Sequence, residues 1–384
     1  MFLFIFYYCS FEDGQQKFGK LVTQLVIPTI ATMYVERQQE IIQEIQSITT
    51  DPIPVSVDAV YASRNNNSDH GAVTIVEHLT KNNYLVHIAM KSASSTSLSH
   101  QLESQLVLEG LKHIVSECKI PIDTVGRDGK RINQADLDKA CNRVNTFQVG
   151  DGWHAQKKIV AKFVTDINMK TKCVMGNIKQ GIVADSKEVK AEKMNQRAEL
   201  LTLKEGLGFH FMQCAKVAKG DVELAQNLWQ AYAQHKSGDH EYCVDEDIGL
   251  DSIGEASCVD SQTPSISEEA LNLFKEFLRD PKVLKKFEKV DGNISTSINE
   301  SVHNIFNSYR DKLKHYTYYN VLYQMAYLDF NENRNRKVEY TYTSHPRDWK
   351  RNHKFRTKRE VLSEKTYMWQ DEALRRMFPN VNFK

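Results

Sequence analysis

Apolar positions recur at helical spacing near the start of the chain. Phe18, Leu21, Leu25, Ile30, Met33, Ile41, Ile42 and Ile45 fall on one stripe with Pro28 among them, which predicts two helices broken at the proline. The period then changes. Pro54 to Tyr61 alternates as a half-buried strand does, Arg64 to His70 is a turn cluster, and Ala72 to Leu79 is a second strand-like run. Lys81-Asn82-Asn83 marks another turn before Tyr84 to Met90. Three strands joined by short turns predict an antiparallel meander.

Beyond a Ser-rich connection, Ser99 to Glu117 reads as a helix with Leu102, Leu106, Leu108, Leu111, Ile114 and Val115 on one side. A fourth strand over Ile120 to Val125, a short helix from Ile132 to Asn142, a fifth strand over Val144 to Val149 and a helix from Trp153 onward complete a βββαβαβα order. That order is the one expected of an α/β, ribonuclease-H-like mixed five-stranded sheet flanked by helices. From Asp166 to Asp280 the strand signal stops, and lysine-rich helices over Lys187 to Lys204 and Phe209 to Gln234 suggest a large helical insertion. Helices resume at Ser267 to Arg279 and Pro281 to Lys289, and Ser295 is placed to cap a helix with Ile298, Val302 and Ile305 on one face.

Composition narrows the class. The chain has 384 residues, 41% hydrophobic and 26% charged, which excludes a small disulfide scaffold and global disorder. Its seven cysteines are scattered, with no Cys-x-x-Cys pair, which favours a reducing compartment. The apolar start, Met1 to Ser10, has no basic segment before it and is too short to span a bilayer, so neither a signal peptide nor a membrane span is expected. The Asn-x-Ser triplets at Asn66, Asn293 and Asn299 are read as chance matches. Lys+Arg 50 against Asp+Glu 49 gives a formal charge of +1, but the charges are unevenly placed. Residues 237–260 hold eight acids and no Lys or Arg, whereas residues 334–359 hold ten Lys/Arg against Glu339 and Asp348.

Three acids stand where this core would gather them. Asp58 interrupts an apolar strand, Asp128 follows the fourth strand, and Glu300 lies on the helix after the insertion. A buried carboxylate in a central strand needs a partner, and divalent metal is a natural one. Carboxylates holding two such ions support in-line attack on a phosphodiester. Taken singly, each acid has a plain reading as well: Asp58 as a cap or ion-pair partner, Asp128-Gly129 as a turn, Glu300 as a solvated helix residue. A proofreading-exonuclease version of the core would place a second acid where Val60 stands.

In Val57-Asp-Ala-Val-Tyr-Ala-Ser-Arg64, Arg127-Asp-Gly129, Asp151-Gly-Trp-His-Ala-Gln-Lys157, Asn299-Glu-Ser-Val-His-Asn304 and Leu328-Asp-Phe-Asn-Glu-Asn333, the chain resembles the Mutator-like transposases, a DDE-type cut-and-paste group. The resemblance spans about residues 50–370. It implies a ribonuclease-H-like core interrupted before the last acid, Asp58, Asp128 and Glu300 as catalytic and metal-holding residues, Mg²⁺ or Mn²⁺ as cofactor, DNA as partner and the nucleus as location. Two features depart from the group. Ala59 follows the first acid where Gly is common, and nothing before Val55 has the Cys/His spacing of a zinc-binding recognition module. A truncated gene product is therefore expected, and two functions stand open: Mg-dependent DNA strand cleavage and transfer, or non-enzymatic nucleic-acid binding by a transposase-derived protein.

His235, His240 and Cys243 resemble the Cys/His element of these transposases, with Cys258 as a further ligand, so a Zn²⁺ site and a plain polar loop are the alternatives there. Beside Trp153, His154 and Lys157 either touch phosphate or belong to a surface helix with a buried Trp. Asn331 and Asn333 are expected to shape a turn. The basic stretch, with Arg334, Arg336, Lys337, Lys350, Arg351, Lys354, Arg356, Lys358 and Arg359 interleaved with Tyr340, Tyr342, Trp349 and Phe355, is expected to track phosphates. The resulting plan is a helical segment 1–50, core 51–165, insertion 166–290, core 291–330 and a basic tail 331–384. A homodimer is allowed; membrane and small-molecule cofactors are not expected.

Overall fold

The computed structural model describes residues 19–61, 70–92, 99–128, 131–179, 187–204, 206–237, 266–309, 319–344 and 357–381. The chain forms two compact units, Met1–Thr124 with Ile132–Thr146 and Ser297–Lys384, and Val125–Arg131 with Phe147–Thr296. In the first unit, helix α1 (Ile27–Ile48) is entered through a π-helical turn over Val22–Val26, where the Ile27 amide donates to the Val22 carbonyl. Pro28 thus occupies the first turn of α1, where a missing N–H is tolerated, and the expected break does not occur.

Strands β1 (Ile53–Tyr61), β2 (His70–Glu77) and β3 (Leu85–Ser92) form the expected antiparallel meander. Its second turn is closed by the buried Glu77 carboxylate, which accepts from the Leu79, Thr80 and Tyr84 amides, while Asn83 takes a positive φ of 48°. Then come α2 (Ser99–Ser116), β4 (Ile122–Arg127), α3 (Gln134–Cys141), capped by Asn133, and the four-residue β5 (Phe147–Gly150). The five strands make one mixed sheet of order β3-β2-β1-β4-β5, flanked by helices.

The other described elements of the second unit are helices, among them α4 (Gly152–Lys179), α5 (Lys187–Thr202), α6 (Leu207–Ala218), α7 (Val222–Lys236), α8 (Glu268–Leu278) and α9 (Pro281–Leu284). The single helix expected from Phe209 to Gln234 is two. Lys219 and Gly220 both take left-handed conformations, and Asp221 caps α7 by accepting from the Leu224 amide. Phe163, Phe211, Trp229, Phe274 and Phe287 form this unit's own core.

Back in the first unit, α10 (Ser297–Tyr309) starts beyond the expected Ser295 cap, and α11 (Tyr319–Asn333), β6 (Val338–Ser344), β7 (Thr357–Leu362) and α12 (Met368–Met377) follow. The meander register decides what these elements cover. Asp58 lies opposite Thr74 and Val57 opposite Ile75, so Ser56, Asp58 and Thr74 share one face. Helix α2 seats on the other face at Gly110, where a Cβ would run into the Ile75 and Ala89 side chains. Helix α10 packs on β1 and β2, and α11 packs on α10, α1 and β3. The buried face of α10 is Asn299, Val302 and Phe306 instead of Ile298, Val302 and Ile305, because the Asn299 amide finds partners in the sheet.

Candidate functional site

Asp58 sits mid-strand in β1 with its side chain 26% exposed, so the expected buried carboxylate is only half-buried. Its Oδ1 accepts from the Ala59 amide at 2.9 Å, and its Oδ2 lies 3.6 Å from Nδ1 of His303. Nε2 of the same ring is 3.1 Å from the Thr74 hydroxyl. One turn before His303 on α10, Asn299 is fully buried. Its Oδ1 accepts from the Ser56 hydroxyl at 2.6 Å, and its Nδ2 donates to the Thr74 carbonyl at 2.9 Å and the Thr74 hydroxyl at 3.0 Å. Two residues four apart on one helix face thereby pin α10 across β1 and β2. Glu300, next to Asn299, stays exposed on that helix.

Asp128 belongs to the second unit, one residue past β4, and its side chain is 41% exposed. Gly126, two residues earlier, lets Ile294 press onto the strand where a Cβ would collide with it. Asp128 Oδ2 is 3.3 Å from Nε2 of His154, whose Nδ1 is 2.9 Å from Oδ2 of the buried Asp151. Asp151 also opens α4: its Oδ1 accepts from the Trp153 amide, and its Oδ2 accepts from the Thr296 hydroxyl at 2.6 Å. A neutral imidazole has one N–H and can donate to only one of the two carboxylates; a doubly protonated ring serves both. Trp153 is exposed, not buried, and the Lys157 ammonium sits 3.0 Å from its ring centroid.

No family model, curated protein or solved structure matches this chain. Its chemistry must therefore be read from the residues. The Asp58, Asp128 and Glu300 carboxylates are hard oxygen donors with solvent access, which suits Mg²⁺ or Mn²⁺ in kind. Asp58 and Glu300 lie in one unit and Asp128 in the other. Among the described residues, no three His, Cys, Asp or Glu side chains are gathered as a metal cage.

Of the second cluster, His235 lies in the last turn of α7 with its ring 6.0 Å from Tyr232, while His240, Cys243 and Cys258 fall outside the described residues. Arg334 donates to the Asn82 carbonyl at 2.6 Å and Arg336 to the Ser363 carbonyl at 2.9 Å. Lys337 is exposed, Lys358 and Arg359 lie in β7, and Lys350, Arg351, Lys354 and Arg356 are outside the described residues. Asn331 and Asn333 are not in a turn. They are buried in α11, where Asn331 exchanges two hydrogen bonds with the Leu85 backbone and Asn333 donates to the Thr366 carbonyl and accepts from its amide. His303 and Asp151 were not among the residues expected at the site. Their signals were an Asn-x-x-x-His spacing on one helix face and an Asp directly before a helix start.

Proposed function

We propose that the protein is a DDE-type, metal-dependent polynucleotidyl transferase acting on DNA in the nucleus, with Asp58, Asp128 and Glu300 as its catalytic carboxylates. The observation that carries this reading is the seating of α10. Asn299 locks the helix of Glu300 over the strand of Asp58, and His303 faces the Asp58 carboxylate. Asp58, Asp128 and Glu300 would hold divalent metal, which would supply activation of a water or 3′-hydroxyl and charge stabilisation at the leaving oxygen. The chain's own part is to aim the acids: the Ala59 amide and His303 restrict the Asp58 carboxylate, and the buried Asp151 fixes the ring of His154 against Asp128. The ordered motifs that resemble those of Mutator-like transposases support the same assignment.

Asp58→Asn, Asp128→Asn and Glu300→Gln should each lower Mg²⁺- or Mn²⁺-dependent nicking of plasmid DNA by about 10²-fold or more, with far-UV circular dichroism and DNA binding unchanged. Activity retained in one variant would remove that residue from the role. A second reading, nucleic-acid binding without cleavage, is favoured by the histidine standing against each of Asp58 and Asp128. It prevails if the protein binds DNA with a steep salt dependence and nicks with neither metal.

A further inference from the structure

We propose that β6 is a self-association edge, pairing antiparallel with β6 of a second copy of the chain about a two-fold axis at Thr341. The product is a four-stranded sheet of order β7-β6-β6-β7. Strands β6 and β7 form a sheet of their own, so among the described residues no strand lies beyond β6. Alternate residues of an antiparallel strand turn N–H and C=O to its neighbour, and the others turn theirs outward. That outer row is a template for another strand, and a free two-stranded ribbon is marginally stable in water. Proteins commonly guard such an edge with Lys or Pro. Val338–Ser344 has neither, and its only charge is Glu339, whereas β7 carries Lys358, Arg359 and Glu360 in succession. Val338, Tyr340 and Tyr342 on β6 are 47%, 57% and 45% exposed, a large apolar showing for one short strand.

Charge and sequence symmetry identify the partner. Glu339 and Glu360 cancel Lys358 and Arg359, so the two strands draw neither a polyanion nor a polycation. A strand that pairs with itself about a two-fold axis needs a pattern that reads alike in both directions. Tyr340-Thr341-Tyr342 does. With Thr341 on the axis, Tyr340 stands opposite the partner's Tyr342, Tyr342 opposite the partner's Tyr340, and Thr341 opposite its own copy. Both aromatic pairs then share one face and the Thr pair takes the other, and pairs of both kinds stabilise sheets. Glu339 falls opposite the partner's Thr343, so like charges do not meet across the axis. The register shift between Val338 and Tyr340 lies outside the central triplet and limits how far the pairing extends. A contact this short is weak, with a dissociation constant between about 1 and 100 µM.

The test is sedimentation velocity of the full chain over about 1–200 µM, where the monomer should pass to a dimer. Thr341→Lys and Thr341→Glu each set like charges opposite one another on the axis and should weaken the dimer about tenfold or more. An equimolar mixture of the two should recover it, because the mixed pair sets a cation against an acid. Tyr340→Ser/Tyr342→Ser removes both aromatic pairs and should also weaken the dimer about tenfold, which keeps the test open if the Thr341 variants misfold by far-UV circular dichroism. Glu360→Lys, on the outer strand, should dimerise as the wild type does. A wild type that stays monomeric throughout would overturn the proposal. So would wild-type dimerisation in Thr341→Lys or in the tyrosine double variant, or folded Thr341 variants that fail to recover the dimer on mixing. The measurement needs neither DNA nor metal, so its failure is distinct from failure of the strand-transfer reading.

Discussion

A fully buried Asn299 side chain is the residue on which the seating of Glu300 depends. Truncating it removes an acceptor from Ser56 and a donor from Thr74, and leaves both of those polar groups in a dry interface. Asn299→Ala should therefore cost about 1–3 kcal/mol in urea unfolding, because the buried Ser56 hydroxyl loses its acceptor while the Thr74 hydroxyl keeps His303 beside it. Glu300→Gln, an exposed change one residue away, should stay within about 0.5 kcal/mol of the wild type. The burial of Asn299 also denies its side chain to glycosylation in the folded chain, in agreement with reading Asn299-Glu-Ser301 as a chance match. Asp58 was legible because a carboxylate in an apolar strand violates the pattern around it. Asp151 and His303 were not, because a capping acid and a helix-face histidine read alike whether they face water or another side chain.

At the scale of elements, alternation in β1 and apolar runs bounded by turn clusters located β1, β2 and β3 to within two residues; β2 carries no alternation because α2 and α10 both pack on it and its residues 71–77 are all buried. The breaks were harder. Pro28 suggested a boundary that a π-helical turn absorbs, and the boundary between α6 and α7 lies in a Lys219-Gly220 pair whose left-handed geometry leaves little trace in composition. The alternation Val338-Glu-Tyr-Thr-Tyr-Thr343 was present, but the charges after it led to a tail being expected where a ribbon forms. The α6–α7 pair also has a pH signature. His210 is stacked 4.0 Å from Tyr232, and burial lowers its pKa from 6.5 to about 4, while burial lowers His87 in the first unit to about 3. The unfolded chain takes up these protons near pH 6.5 and the folded chain does not, so the stability contribution is whole above that pH and is lost as pH falls toward the folded values. Between pH 7.5 and 5, each histidine should account for about 2 kcal/mol of lost unfolding free energy. His210→Gln should flatten the pH dependence by that amount in urea titrations, and an unchanged slope would mean that His210 takes up its proton without unfolding.

Across the whole molecule the net charge of +1 conceals a separation by unit. The acids of residues 237–260 lie in the sequence of the second unit, and the cations of residues 334–359 in that of the first. A polyanion approaching the chain meets its summed field, and in dilute salt that field includes the acidic segment. Deleting residues 239–260 removes eight acids and takes the formal charge from +1 to +9. The shortened chain should bind duplex DNA several-fold more tightly at about 50 mM salt and elute later from heparin, with the gain fading by about 0.3 M as screening shortens the reach of the acids. Equal affinities at low salt would show that the acidic segment does not act on DNA binding, and would leave the distribution of the remaining charges to set it.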